Sequence, residues 1–440
     1  MKESTKTAQN ADDTGGIPAR VAAVAALDDI LIRKRSLDEG LVATNDLEQS
    51  RDRAFARLLV TIVLRRMHQI DAYLETLLHE PVSKLKPPTL LNILRLGIAQ
   101  IAFLETPVHA AVSATVETAE KAGISHQKPL VNAVLRRAAR EPMPKMDARD
   151  AGRLNTPDWL WQELMRDYGV ERALDILAAH LQEAVIDITV KENPAHWASV
   201  LDSDLLPIGS LRRKTGGFIP DLPGFQDGEW WIQNAAASLP AKLMGDVRGK
   251  RVVDLCAAPG GKTAQLAAMG ARVIAVDRSA TRMERLKENM QRLRLDVETI
   301  VADGAAWKPS ALVDAVLLDA PCTATGTIRH QPDVLHLKTP ADQEKLAVLQ
   351  RRLIENAARM IQPGGMLIYC TCSLQKAEGE NQITWALAQS FGLSASPITN
   401  DELPGIEELL DVSGHIRALP CYWQNIGGID GFFIARLVKS

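Results

Sequence analysis

The chain reads as an all-α domain followed, through a small α/β segment, by a doubly wound α/β domain. Three observations carry that reading. From Ala19 to about Ala139, apolar residues recur at three- and four-residue steps with few β-branched alternations, the period of helices packed on helices. From about residue 235, short apolar runs alternate with helical stretches, the pattern of parallel strands buried on both faces. The first of those runs leads into a Gly-rich turn, Pro259-Gly260-Gly261, and then a helix, which is how such sheets build a binding loop at a helix N-terminus.

The elements follow in order. Residues 1–17 are polar with Gly15-Gly16 and read as a disordered tail, and Pro18 suits a first helical turn. The all-α domain spans 18–145. Within it Val21, Val24, Leu27, Ile30 and Leu31 mark one helix, and Phe55, Leu58, Leu59, Ile62 and Leu64 another. The stretch Leu90 to Phe103 is apolar nearly all round, which predicts a central buried helix. Residues 141–154, with Glu141-Pro142-Met143-Pro144, read as a linker. A connecting subdomain over 155–234 starts with helices after Thr156-Pro157-Asp158 and continues with short strands over 185–232, broken by Pro and Gly. In the domain over 235–440, strands are expected at Val252–Leu255, Arg272–Val276, Val297–Val301, Ala315–Leu318 and Met366–Cys370, with a crossover helix from Gln343 to Met360. Neither an internal repeat nor a low-complexity tract is present.

Composition narrows the class. The 440 residues are 46% hydrophobic and 24% charged, which is ordinary for a globular protein of two or three domains. The net charge of -3 does not advertise a nucleic-acid binder, so any basic groove must be local. No apolar run is long enough to span a bilayer, and the polar N-terminus does not support secretion. The five cysteines, Cys256, Cys322, Cys370, Cys372 and Cys421, are odd in number and lack framework spacing, which predicts free thiols in a reducing, cytoplasmic compartment. Only Cys370 and Cys372 are closely paired, and strand alternation would point them to opposite faces, so no metal site is expected.

The Gly-rich loop, Val252 to Thr263, excludes two cofactors. A phosphate-binding P-loop requires Gly where this chain has Cys256, and the dinucleotide fingerprint is absent. Asp277 closes the second strand, where a carboxylate suits ribose hydroxyls, and Asp303 follows the third, suited to an adenine edge. Ribose and adenine without phosphate point to S-adenosyl-L-methionine. The competing reading makes Asp277 and Asp303 helix N-caps.

Two cysteines lie in short motifs after strands: Asp319-Ala320-Pro321-Cys322 and Cys370-Thr371-Cys372-Ser373. A thiolate added to C6 of a pyrimidine makes C5 nucleophilic, so this pair points to cytosine-C5 methylation. Asp319 is placed to bond the N3 or N4 edge of the ring. The thiolate needs a nearby positive charge, for which Lys262, Arg329 or the sulfonium cofactor are candidates. Cys256, Cys370 and Cys421 read as small core hydrophobes.

These motifs, with Cys256-Ala257-Ala258-Pro259-Gly260-Gly261-Lys262, resemble those of RNA m5C methyltransferases. His109-Ala110-Ala111-Val112 and the stretch Lys128 to Arg137 resemble a NusB-like RNA-binding domain. The combination is similar to the RsmB/Fmu/Sun family of 16S rRNA cytosine-C5 methyltransferases over nearly the whole chain beyond the tail. That resemblance implies a class I, Rossmann-like methyltransferase domain. It implies 16S rRNA as the substrate, at the cytidine numbered 967, and a monomer acting in the cytoplasm without membrane or metal. Cys372 becomes the nucleophile and Cys322 the thiol that assists release, beside Asp319. Cofactor contacts run along Cys256, Ala257, Ala258, Pro259, Gly260, Gly261 and Lys262, with Asp277, Asp303 and Asp319. Gln233 lies in the segment before the catalytic core, and Asp430-Gly431-Phe432-Phe433 resembles the C-terminal strand motif. Arg136, Arg137 and Arg329 are candidate RNA contacts, with Arg140 and Arg33-Lys34-Arg35 as further basic groups. Trp230 and Trp231 are read as packed rather than stacked on a base. Two positions depart from the family pattern: His330 stands where a second Arg is usual, and Ile188-Thr189-Val190-Lys191 replaces Leu-Arg-Val-Asn. A tRNA m5C methyltransferase and a binding factor with a vestigial catalytic half are the competing readings.

Overall fold

A computed structural model describes residues 16–104, 106–214 and 218–440. The tail expected over 1–17 falls almost wholly outside them. The chain divides into two compact units, Met1–Trp161 with Gln331–Leu337, and Gln162–His330 with Lys338–Ser440.

The first unit is helical, with its main helices at Ile17–Leu31, Ser50–Leu77, Pro88–Phe103, Val108–Lys121 and Lys128–Arg140. The helix Pro88–Phe103 is the central one: Ile93, Leu94, Leu96, Ile98 and Ala99 are all fully buried, as the unbroken apolar run predicts. Gly97 allows the close approach of a neighbour, since a Cβ there would lie 2.7 Å from Leu135. One of the buried polar groups on this helix, Gln100, is satisfied by the Arg20 Nε donor at 2.7 Å and by its own donation to Leu96 O. The segment Gln331–Leu337 joins this unit through Asp333, whose carboxylate accepts the Leu37 amide, and through His336 against Leu64 O. None of the helices among the described residues is long and apolar enough to cross a membrane.

The second unit holds two sheets. The smaller is antiparallel, in the order β2 (Ser203–Leu205), β3 (Leu211–Arg213), β1 (Asp187–Val190), β4 (Trp230–Ile232). Its core is Ile188, Leu201, Leu211 and Trp230, so Trp230 is packed as expected. The buried Asp187–Arg212 pair, 2.7 Å apart, also binds the Ala235 amide through Asp187 and so joins β1 to the next helix.

The larger sheet contains β5 (Arg251–Leu255), β6 (Arg272–Asp277), β7 (Glu298–Val301), β8 (Val313–Asp319), β9 (Ile361–Thr371), β10 (Leu393–Ala395), β11 (Ile416–Ala418) and β12 (Phe432–Lys439). Its order is β10-β12-β9-β8-β5-β6-β7, with β11 on β12. The five strands expected from apolar runs are β5 to β9, all parallel, and the crossover helix runs Pro340–Met360. The sheet is mixed rather than uniformly parallel, because β10, β11 and β12 pair antiparallel. A run such as Phe432 to Leu437, buried almost throughout, has the same pattern in either direction, so direction is set by the connection and not by the residues. Layers of apolar side chains cover both faces, with Val253, Leu255, Val316 and Leu318 on one and Val252, Ala315, Leu317 and Ile368 on the other.

Candidate active site

The site forms along the C-terminal ends of β5, β6, β8 and β9, where an open α/β sheet leaves its crevice. After β5 the chain turns sharply. Cys256 takes a left-handed φ of 64°, and Gly260, at φ 103°, precedes the helix Gly261–Ala268. A Cβ on Gly260 would lie 2.8 Å from Leu286 Cγ, so glycine is required there both for conformation and for space. The Cys256 and Ala257 amides donate to Val276 O and tie the loop to β6.

Asp277, at the end of β6, is buried. Its Oδ2 accepts the Ala258 amide at 3.2 Å and its Oδ1 the Ser279 amide at 2.9 Å. The following helix is capped by Ser279, whose hydroxyl accepts the Arg282 amide, so Asp277 is not the cap. Asp303 is exposed and closes its own turn by accepting the Ala305 amide, with strand β8, rather than a helix for it to cap, next in the chain. Both carboxylates line one pocket with Val276, Pro321, Leu349 and Leu353. Asp254 lies buried beneath the loop. Its Oδ2 accepts the Thr263 hydroxyl, and its Oδ1 has no hydrogen-bond partner among the described residues. The two carboxylate acceptors, Asp277 and Asp303, and the apolar wall of their pocket fit a nucleoside-bearing group without phosphate.

Lys262 points from the helix start to Asp319 at the end of β8, 2.7 Å away. Burial alone would discharge Lys262; the charge and hydrogen bond of Asp319 outweigh it and hold the ammonium above the ordinary lysine range. Asp319 also accepts the Cys370 thiol at 3.6 Å. Cys370 is a buried core thiol, as expected, with this additional polar contact.

Cys322 and Cys372 lie side by side, Sγ to Sγ 3.4 Å, with both part-exposed. Their loops are joined through backbone: Gly326 N donates to Cys372 O at 2.8 Å and Gly431 N to Gly326 O at 2.9 Å. The hydrogen bond with Cys372, followed by burial and the charge of nearby Glu378, raises the Cys322 thiol well above its usual range.

Some expected roles change. Lys262 faces Asp319, so it is not the charge expected beside the thiols. Arg329 is not placed as an RNA contact: it is buried and donates to Glu183 O and Gly427 O, near the buried Asp430. Its neighbour His330 lies 3.3 Å from Asp430 and 3.4 Å from Asn234, on the rim. Arg137 is bound to the Glu141 carboxylate and Leu77 O, whereas Arg136 and Arg140 are exposed beside one groove of the helical unit. Thr189 is buried in β1. Gln233 is buried and bonds Gln265, behind the cofactor loop. Trp231 is packed and donates to Gln233. Cys421 lies 3.9 Å from Arg172. Glu378, Gln375, Gln350 and Arg417, which bind the two cysteine loops from below, carry no local signal as partners because they are distant in the chain or sit at unremarked positions in it.

Comparison with known proteins separates the readings. Residues 242–438 match the model of the 16S rRNA methyltransferase RsmB/F family, and residues 17–140 match the NusB family. Ribosomal RNA small subunit methyltransferase B of Xanthomonas campestris pv. campestris is 36% identical, over 97% of this chain and 98% of its own. The protein of the same name from Pseudomonas putida is 33% identical, over 96% and 98%. The chain belongs to the RsmB/F family of 16S rRNA methyltransferases. Among solved structures, that of PH0851 superposes with a TM-score of 0.78 at 25% identity, covering 97% of this chain and 98% of its own. A methyltransferase homologue from Pyrococcus horikoshii covers 64% of this chain and all of its own, with a TM-score of 0.52 at 27% identity. This RsmB/F protein is therefore an rRNA methyltransferase with a NusB-type helical domain and a Rossmann-like catalytic domain, and its cofactor is S-adenosylmethionine.

Proposed function

We propose that this RsmB/F methyltransferase transfers a methyl group to C5 of one cytidine in 16S rRNA, the cytidine numbered 967, through a covalent bond between Cys372 and C6. The observation that carries the reading is the pair of thiols 3.4 Å apart, on the loops that follow β8 and β9 at the carboxyl edge of the sheet. S-adenosylmethionine supplies an electrophilic methyl group when bound. Cys256 to Lys262 with Asp277, Asp303 and Asp319 are the residues that would hold it, with Asp277 suited to ribose hydroxyls and Leu349 and Leu353 to an apolar wall for the base.

Cys372, as thiolate, adds to C6. The C5=C6 π electrons move to C5, which would bond the methyl carbon as the methyl–sulfur bond of bound S-adenosylmethionine breaks and its pair stays on sulfur. Asp319, fixed by Lys262, accepts from the N4 amino group and orients the ring. The C5 proton then passes to solvent, the C5–H bonding pair re-forms C5=C6, and the Cys372 sulfur departs with the C6–S bonding pair. Cys322, beside that sulfur, assists the release. The target base must leave its stack to reach this point. The enzyme acts as a cytoplasmic monomer that needs no metal, and residues 18–145 engage the RNA.

Unmethylated 16S rRNA from a deletion strain, incubated with the protein and methyl-labelled S-adenosylmethionine, is expected to carry label in 5-methylcytosine. Absence of label in the 5-methylcytosine of the digested rRNA would sink the reading. Cys372→Ala is expected to abolish transfer, and Cys322→Ala to leave a protein–RNA adduct on a denaturing gel. Activity retained by Cys372→Ala reverses the assignment of the two thiols.

A further inference from the structure

Two loops, one following Cys322 and one following Cys372, run side by side, and a carboxylate that no step above employs lies beneath them. Glu378 is fully buried. Its Oε1 and Oε2 accept the Thr323 amide at 3.1 and 3.2 Å, Oε2 accepts the Thr323 hydroxyl at 2.5 Å, and Oε1 accepts Gln350 Nε2 at 2.9 Å. The same Thr323 hydroxyl lies 3.3 Å from Ser373 Oγ and 3.1 Å from Gln375 Oε1. The Glu378 carbonyl accepts the Tyr369 hydroxyl from β9 at 2.8 Å. The contacts of Thr323 join the residue next to Cys322 to the chain around Cys372. Neutral hydroxyls and amides would suffice to tie two loops. A buried carboxylate is a costly way to do so, tolerated here because several donors meet it, and its charge is what the neutral groups lack.

We propose that Glu378 is a positioning residue for methyl transfer: its carboxylate ties the Cys322 loop to the Cys372 loop, and its charge keeps Cys322 a neutral thiol so that Cys372 is the one that acts as nucleophile. The inference rests on the reading above that the two thiols divide the roles. The titratable groups that face the pair are consistent with it. Cys322, Cys372, Tyr369 and Glu378 form the cluster, while the charges next to it are already matched, Lys262 with Asp319 and Arg417 with Glu380. Burial holds the Glu378 carboxyl above its ordinary range in spite of the Thr323, Ser373 and Gln350 donors. A thiol beside a fixed negative charge gives up its proton last, and the thiolate is the reactive form.

The test is site-resolved alkylation of the full-length protein by a haloacetamide across a pH series, read by mass spectrometry, together with kcat and KM on unmethylated 16S rRNA. In the parent protein Cys372 is expected to label before Cys322. In Glu378→Gln the labelling midpoint of Cys322 is expected to move to lower pH by about one unit, as for loss of a close like charge. Its kcat should fall about a hundredfold with KM changed by less than about threefold, because misplacement of reacting groups by roughly 1 Å has that effect. Glu378→Asp keeps the charge and shortens the reach, so it should keep the labelling order and lose kcat. Parental kcat in folded Glu378→Gln, or a loss of kcat with the Cys322 midpoint unmoved, overturns the proposal. If Glu378→Gln does not fold, Glu378→Asp decides, and parental kcat there overturns it. A parent protein that labels first at Cys322 instead sinks the assignment of the nucleophile; parental order with unresponsive variants sinks the role of Glu378 alone.

Discussion

At Asp254 a carboxyl group is buried beneath the cofactor loop with one oxygen bound to Thr263 and the other without a partner among the described residues. Burial, only partly offset by that hydroxyl, pushes its pKa up from 3.8 to about 7. The folded protein therefore keeps this proton after the unfolded chain has released it. The stabilisation is complete below pH 3.8, declines as pH rises, and is gone above about 7. The swing is on the order of 4 kcal/mol. Cofactor-free Asp254→Asn is thus expected to melt above the parent protein at pH 8, with the difference closing towards pH 4; equal melting temperatures at pH 8 would remove the argument. Gly326 shows a steric limit at the same scale. A Cβ there would lie 2.0 Å from Gly431 O and 2.8 Å from Cys372 O, all backbone atoms. Gly326→Ala should cost about 1–3 kcal/mol by overpacking and separate the two thiols, seen as a lower denaturant midpoint and loss of the adduct. The sequence exposes the motifs that contain these residues, yet neither the unpartnered oxygen nor the contact between Gly326 and Gly431, 105 positions apart, has a local signature.

Among the elements, the three antiparallel strands place groups under the cysteine loop. β12 lies along β9, with Phe433 opposite Thr371, and β11 along β12, with Arg417 opposite Phe433. That register carries Arg417 beneath Ser373, where its Nη1 donates to Ser373 O at 2.7 Å, its Nε and Nη2 hold Glu380, and its guanidinium lies over the Phe433 ring. Burial alone would lower the Arg417 pKa; the charges of Tyr168 and Glu380 reverse that. Arg417→Ala leaves a largely buried Glu380 unpaired, so a loss of about 3–5 kcal/mol is expected in chemical denaturation. Arg417→Lys, which keeps charge but not the fork, should recover only part of it. The parallel strands β5 to β9 were readable as apolar runs because both faces are covered. Strand direction at the C-terminus, and so the place of Arg417, was not, because burial on both faces erases the alternation that would mark orientation.

On the scale of the whole molecule, a net charge of -3 means that RNA attraction must come from local groups. In the helical unit one groove is lined by Val108, His109, Val112, Asn132, Arg136 and Arg140. Arg136→Glu is expected to weaken 16S rRNA binding about tenfold at low salt and to reduce the slope of log affinity against log salt by about one. Cofactor affinity, measured by calorimetry, should not change. An unchanged slope would place the RNA contacts elsewhere. The two units are served differently by their sequences, since the helical one declares itself by period alone while the catalytic one is declared by its motifs.

What the residues determined unaided was the class of each unit and the strands β5 to β9 with their loop. Helical period, apolar runs and the turn at Gly260 are local consequences of side-chain shape and backbone freedom. Tertiary structure alone decided that Lys262 faces Asp319 rather than the thiols, that Arg329 is enclosed by carbonyls, and that Glu378 lies under both cysteine loops. Those facts depend on which chain segments the folded sheet brings within hydrogen-bond reach. Burial then changes what each charge does, and burial at any one position is a property of the whole fold.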